Sequence, residues 1–362
     1  MKNNKVSKML SLILGLFLAL SIFVPSYAQA DWPTKPITIV VAYTAGGTAD
    51  TANRTLAKEM SEYLKQDFSI INVTGGSGSI AGLQVFNAPS DGYTLLGAVA
   101  HSTSAWRLLD YADIGWEDFY GFHAATAPYI LFVDNDSKFD TAEDLFEAIK
   151  STSNMKWGHA GMGSINHLTG EQMLKTLGLE ALALPYGGGR DAATKVMAGE
   201  VDFSWCGASD VMDLAVAGEI KVLGVCDENP MVILSKNGEY EAASLTAIYP
   251  DLKSLENLLY WGFHVKRDTP PEIVAKLRDA FEYAINTDSW KQYCETMNLK
   301  PVDMVGEADD EMRAKLESIY NWGLFDLGMG AEGKSPEDFG ILRPDAFVYP
   351  PNESIKNIKP WP

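Results

Sequence analysis

The sequence predicts an α/β protein of two lobes, each built on a mostly parallel sheet. Its 362 residues suffice for two domains rather than one. Strand-like and helix-like runs alternate in two separate series, as βαβ crossovers require. Glycine-bearing joints recur where a strand gives way to a helix.

Residues 1–30 stand apart from both series. Lys2, Lys5 and Lys8 form a basic start, and residues 9–24 are an apolar run broken only by Ser11, Gly15 and Ser21. Pro25 ends the run, and Ala28-Gln29-Ala30 is a small-x-small cleavage site. The run falls short of the ~20 residues of a membrane span, so a signal peptide cut after Ala30 is expected rather than an anchor. Its loss removes three lysines and takes the formal charge from −19 to −22. With no Cys at the cleavage site and no later apolar run of spanning length, the expectation is a free protein of the periplasm, not inserted in the membrane.

In the first series, residues 37–43 are a continuous strand-like run, β-branched through Val41, the mark of a central strand covered on both faces. Residues 48–66 change to helical period, with Leu56, Met60, Tyr63 and Leu64 on one face. A strand at 68–73, a short helix at 80–87 and a strand at 93–98 follow, the last entered through an Asp91-Gly92 turn. The second series reads as strands at 130–133, 155–159, 182–184, 201–205 and 222–225. Its helices are expected at 141–150, 164–177, 190–198 and 209–217. A strand at 259–265 precedes a helix opened by Pro270-Pro271, with Ile273, Val274, Leu277, Phe281 and Ile285 inward. The expected organisation is 31–126 for the first lobe, 127–227 for the second, 228–328 returning to the first, and an irregular Pro- and Gly-rich tail at 329–362.

Composition excludes several classes. Hydrophobic residues make up 46% and charged residues 21% of the chain, which fits a buried core and not disorder, collagen or a coiled coil. A strongly negative balance excludes nucleic acid and anionic lipid as partners. Cys206, Cys226 and Cys294 are too few and scattered for a disulfide framework. Buried free thiols are expected, the alternative being a Cys206–Cys226 pair if their strands are neighbours.

Chemistry concentrates at the joints. In Tyr43-Thr44-Ala45-Gly46-Gly47-Thr48-Ala49-Asp50 the glycines turn backbone N–H groups outward, and the helix from Thr48 leaves its first amides without internal partners. Together they form an anion cradle. Gly161-Met162-Gly163-Ser164-Ile165-Asn166-His167-Leu168 repeats the construction in the second lobe, so two cradles could face one another across a cleft. A third joint, Gly75-Gly76-Ser77-Gly78-Ser79, formally matches G-x-G-x-x-A, but the acid expected at the end of the next strand is missing. Pro185-Tyr186-Gly187-Gly188-Gly189-Arg190 offers a phenol and a cation. Asp50, in a first helical turn, reads as a cap paired with Arg54, or alternatively as a holder of an ammonium or water. Trp106, Trp205 and Tyr129 are large enough to line a pocket, though such rings are usually core. No nucleophile elbow, H-E-x-x-H or P-loop occurs, and His159 and His167 lack a ligand spacing. No enzyme, metal or cofactor is therefore expected.

These residues resemble the periplasmic receptors of tripartite tricarboxylate transporters, the Bug family of extracytoplasmic solute receptors. The family's opening W/Y-P-x-K-P-I is matched by Trp32-Pro33-Thr34-Lys35-Pro36-Ile37, and its A-G-G-x-x-D-x-x-A-R by residues 45–54, with Asn53 in place of Ala. D-G-Y-T-L is unchanged at 91–95, G-x-G-S-x-x-H-L lies at 161–168 and P-Y-x-G-G at 185–189. The family's E-N-R-P-G-A-G-G loop is here Ile71-Asn72-Val73-Thr74-Gly75-Gly76-Ser77-Gly78, without the Glu and Arg. The resemblance implies a type II periplasmic-binding-protein (flytrap) fold closing on a small carboxylate, a di- or tricarboxylate or an aromatic one, for delivery by a monomer to the membrane permease subunits of such a transporter. A ligand sensor for a membrane histidine kinase is the alternative, with a secreted enzyme third. Carried over, the grip falls on Thr44, Ala45, Gly46, Gly47 and Thr48 with Asp50, and on Gly161, Met162, Gly163, Ser164, Asn166 and His167, with Ser77 from the third joint. Tyr43, Ser102, Thr103, Tyr186 and Trp205 are expected to choose the ligand's other end.

Overall fold

The computed structural model describes residues 32–152, 154–254, 258–350 and 360–361. The signal peptide expected at 1–30 lies outside the described residues. A short unit, Met1–Thr34, is described only at 32–34; Lys35–Pro362 carries the fold.

β1 (Ile37–Val41) buries every residue but Thr38, as a doubly covered strand must. It pairs in parallel with β2 (Phe68–Asn72) and β3 (Thr94–Val99), Ile39 standing opposite Ile70 and Leu95. The crossovers are α1 (Thr48–Leu64), which buries Ala52, Leu56 and Met60, and α2 (Ser79–Phe86). α1 ends two residues before the expected boundary because Lys65 turns left-handed, φ 56°. Tyr63, expected inward, is 45% exposed and rests on the Tyr283 ring at 5.3 Å.

β4 (Phe119–Asp134) is far longer than the strand expected at 130–133. After it come α3 (Ala142–Ser151), β5 (Lys156–His159), α4 (Ile165–Thr176), β6 (Leu182–Pro185), α5 (Gly189–Met197) and β7 (Phe203–Gly207). α6 (Met212–Val216), β8 (Ile220–Val225), β9 (Met231–Ser235), β10 (Gly238–Ser244) and α7 (Leu245–Ile248) follow. β11 (Leu258–Lys266), α8 (Pro271–Asn286), α9 (Asp288–Thr296), β12 (Lys300–Met304) and α10 (Glu307–Asp326) complete the order. The strands run β2-β1-β3-β11-β4-β7-β5-β6.

β4 belongs to both halves of this sheet. Its first ten residues pair antiparallel with β11, from Phe119↔Lys266 to Pro128↔Leu258, with β12 on the opposite edge. Its end, from Tyr129, lies between β7 and β8. Each half has its own apolar cluster: Val40, Val85, Leu96 and Trp106 in one, Ile130, Val196, Val211 and Val222 in the other. β4 also separates the cysteines of the second half. Cys206 on β7 and Val225, next to Cys226, both stand opposite Ile130 from opposite sides, so the two thiols are two strand spacings apart and, like Cys294, remain free and buried. Beyond Gly328 the described residues form only two 3₁₀ turns, Pro336–Phe339 and Pro344–Ala346.

Candidate functional site

The joints singled out in the sequence all leave the carboxyl ends of their strands, where α/β proteins place their ligands. The joint after β1 carries the N-terminus of α1, and those after β5, β6 and β7 approach it from the other half of the sheet. Two cavities lie between them. One, of about 480 Å³, is lined by Tyr43, Thr74, Gly75–Gly78, Tyr111, Gly161, Met162, Tyr186 and Asp191 among others. The other, of about 30 Å³, lies against Thr44, Gly47, Thr48, Asn166, Arg190 and Asp210. Tyr43 and Ala160 line both.

The first joint is tied down from within. Asp50 Oδ2 accepts the Gly46 N–H at 2.9 Å, while Arg54 and Asn72 donate to the same carboxylate at 2.9 and 3.0 Å. Burial alone would raise its pKa, but the donors from Arg54, Gly46 and Asn72 outweigh burial and hold Asp50 below the usual carboxylate range. Of the two readings of Asp50, the structure shows the cap and ion pair. Ala45 and Gly46 form the exposed rim. The Thr48 amide, expected to be open, donates to Asp210 Oδ1 at 3.0 Å, and the Thr48 hydroxyl donates to Ser209 Oγ at 2.9 Å.

The second joint meets the third. Ser77 Oγ donates to the Met162 carbonyl at 2.6 Å. Gly161 requires its positive φ of 113°, and a Cβ there would sit 3.2 Å from Ser77 Oγ. Ser164 caps α4 by accepting the His167 N–H at 3.2 Å, and His167 Nδ1 accepts the Gly163 amide at 3.1 Å. Asn166 donates to the Trp205 carbonyl.

Not every expected residue reaches the cavities. Trp205 is fully buried, stacked on Tyr129 at 5.5 Å and donating to Thr169 Oγ1, so its ring is core and the pocket role expected for it is corrected. Thr103, in the joint after β3, is 1% exposed and lines neither cavity. Ser102 lines neither cavity but shares a 3.1 Å hydrogen bond with the Tyr43 hydroxyl and accepts the Val99 amide. Burial pushes the Tyr43 phenol up to about 12. Sequence reasoning missed Ser209 and Asp210. The signal was available, because Gly207-Ala208-Ser209-Asp210 is also a joint at a strand's carboxyl end. Among the described residues no group of three or more His, Cys, Asp or Glu side chains could hold a metal ion.

The His159 and His167 rings stack at 4.1 Å. Burial, with His167 beside it, takes His159 down to about 3; burial takes His167 to about 4 and His101 to about 3. These imidazoles are neutral when folded and bind protons more readily once unfolded, near pH 6.5. Their contribution is complete above that pH and is lost as pH falls toward 4. The melting temperature should therefore drop steadily between pH 7 and pH 4.5, and a flat profile across that interval would contradict the buried neutral state.

A family model described as "Tripartite tricarboxylate transporter family receptor" matches residues 52–325. An Agrobacterium vitis protein, "UPF0065 protein in the TAR-I ttuE-ttuC' intergenic region", is 28% identical over 326 residues, covering 87% of this chain and 91% of that one. The fold is that of periplasmic binding protein BugD, with a TM-score of 0.75 at 21% identity, covering 83% and 99% of the two chains. An R. palustris protein solved with adipate is similar at 26% identity, with a TM-score of 0.70 and the same coverage of both chains. No helix among the described residues is long and apolar enough to cross a membrane.

Proposed function

The chain belongs to the tripartite tricarboxylate transporter receptor family, and on that premise we propose that it captures a small carboxylate between two lobes and hands it, unchanged, to a membrane permease. The observation that carries this reading is the meeting of glycine-bearing joints from both halves of the sheet across the 480 Å³ cavity. Joints of this kind offer backbone N–H donors to an anion without a fixed cation. Each N–H to a carboxylate contributes about 1.5–3 kcal/mol, so a few suffice for micromolar affinity, about −8 kcal/mol, after the cost of closure. The similar protein solved with adipate supports a small carboxylate as the class of ligand.

The lobes in this reading are residues 31–126 with 228–328, and 127–227, crossing near Thr126 and Asp227. The grip is formed by the joints after β1 and β5 with Ser77, while Tyr43 and Tyr186 face the ligand's other end. Export to the periplasm follows from the signal expected at 1–30, and the working form is a monomer that closes on its ligand and then presents both lobes to the permease.

A thermal-shift panel of the mature chain tests capture, using linear and aromatic carboxylates of graded length. A true ligand at 100 times its Kd adds about 2.7 kcal/mol and raises the melting temperature by several degrees. It should also be recovered unaltered. No shift with any carboxylate, or conversion of the one that binds, would overturn the reading.

A further inference from the structure

The N-terminus of α1 is already occupied by a carboxylate of the chain itself. Asp210, from the joint after β7, accepts the Thr48 amide at 3.0 Å, while Ser209 accepts the Thr48 hydroxyl. The end of a helix is where a ligand's acid group gains most from unpaired N–H groups and the dipole. Here that gain goes to Asp210. A second carboxylate brought alongside would meet a like charge at short range in a poorly hydrated cleft, which is strongly unfavourable.

Nearby charges relieve this only in part: Arg190 acts on Asp210 across the cavity without an ion pair to its carboxylate. Arg190, which lines the same small cavity, is ion-paired with Asp213 and reaches only the backbone carbonyl of Asp210, at 3.4 Å. Arg54 is committed to Asp50. Asp191, which lines the larger cavity and not this one, accepts the Gly187 amide at 3.0 Å. Asp210 therefore brings an acceptor surface to this wall, with the Thr48 amide as the donor to Oδ1. Thr44 Oγ1 is a second polar atom there, buried and without a hydrogen-bond partner among the described residues. Space for the carboxylate comes from Gly189, where a Cβ would sit 2.6 Å from Asp210 Oδ2.

We propose that Asp210 sets the ligand class, selecting small carboxylic acids that also carry an amino group and discriminating against unsubstituted dicarboxylates. An ammonium brings three donors and a positive charge. Against Asp210 and Thr44 it satisfies both the charge and the orphan hydroxyl, while the ligand's acid group lies toward the glycine joints of the larger cavity. This deepens the capture reading and rests on it.

The test is calorimetric titration of the mature chain with matched pairs that differ only in the amino group, glutarate against glutamate and adipate against 2-aminoadipate. The wild-type chain should bind the amino acid of the preferred length at least ~10-fold more tightly than its partner, as one charge–charge contact in a dry site can provide. Asp210→Asn keeps an oxygen for the Thr48 amide but removes the charge, and should bring the ratio within about threefold or invert it. Asp210→Ser provides the same comparison if the amide variant melts early. Equal or tighter wild-type binding of the dicarboxylate overturns the proposal, as does a preference that survives in both variants. If dicarboxylates bind and amino acids do not, only the role of Asp210 falls. If no acid of either kind binds, the capture reading itself falls, and this proposal with it.

Discussion

Gly163→Val is expected to abolish ligand-induced stabilisation while leaving the far-UV spectrum of the chain unchanged. Gly163 has φ +70°, a region that a β-branched residue enters only at a cost of about 1–3 kcal/mol. A Cβ there would lie 2.0 Å from Leu109 Cδ1. Leu109 follows β3, in the opposite half of the sheet from the joint after β5, so the clash falls between the halves and not inside either core. It opposes the arrangement in which Ser77 reaches Met162 and the joints face one cavity. The chain should fold, and the joints should no longer meet across the cavity. Gly47 is less constrained in backbone. Its φ is −76°, and its nearest neighbour to an added Cβ is the Thr44 carbonyl at 3.5 Å, so Gly47→Ala should leave the fold and its melting temperature without ligand unchanged. Affinity within about threefold of wild type for Gly163→Val would mean that ligand is held without this closed arrangement.

Where the chain alternates covered strands with amphipathic helices, the sequence is readable because burial writes its own period. β1 is aliphatic throughout since both its faces are covered, and α1 carries its apolar stripe to Met60. The first half of β4 is different. Gly121, His123, Ala124 and Ala125 have low strand propensity, and the segment is extended because β11 and β12 pair with it from either edge. The β9–β10 hairpin turns at Asn237-Gly238, a local turn signal, but its strands are short and half exposed. α10 was invisible for a better reason: its inward face is polar, with Asp309, Arg313, Glu317 and Asn321 at helical spacing where a core helix normally shows Leu or Ile. The candidate site divides likewise. Its joints are local glycine patterns and could be found one by one, whereas Asp210 on Thr48 pairs residues 162 positions apart, which no local pattern records.

Arg313→Met should cost about 3–5 kcal/mol of folding stability, the usual consequence of removing one partner from a buried ion pair. Arg313 is fully buried and spends its guanidinium on four acceptors: Asp309 Oδ2 at 2.7 Å, Asp310 Oδ1 at 2.7 Å, and the carbonyls of Trp116 and Phe119 at 2.7 and 2.9 Å. Asp309 also faces His123 Nδ1 at 2.5 Å, and Asp310 pairs with Arg267. Burial opposes the charge on Asp309, but Arg313 and His123 outweigh burial and hold its pKa far below the normal range. Without the guanidinium, two carboxylates and two carbonyls each lose a donor in a dry interior, and the methionine recovers only part of the packing. Arg313→Lys keeps the charge but not the planar fork, so it should fall between the two. A melting temperature lowered on the order of 10 °C is expected for the Met variant, and one within about 2 °C of wild type would show that the network is dispensable. The loss should reach the site as well. Asn321, on the same helix, donates to the Ser104 carbonyl, and the Ala331 amide donates to Leu108 at 2.9 Å. α10 and the segment after it thus brace the joint that carries Ser102 and Leu109, so weakening the helix should loosen the surface beside Gly163.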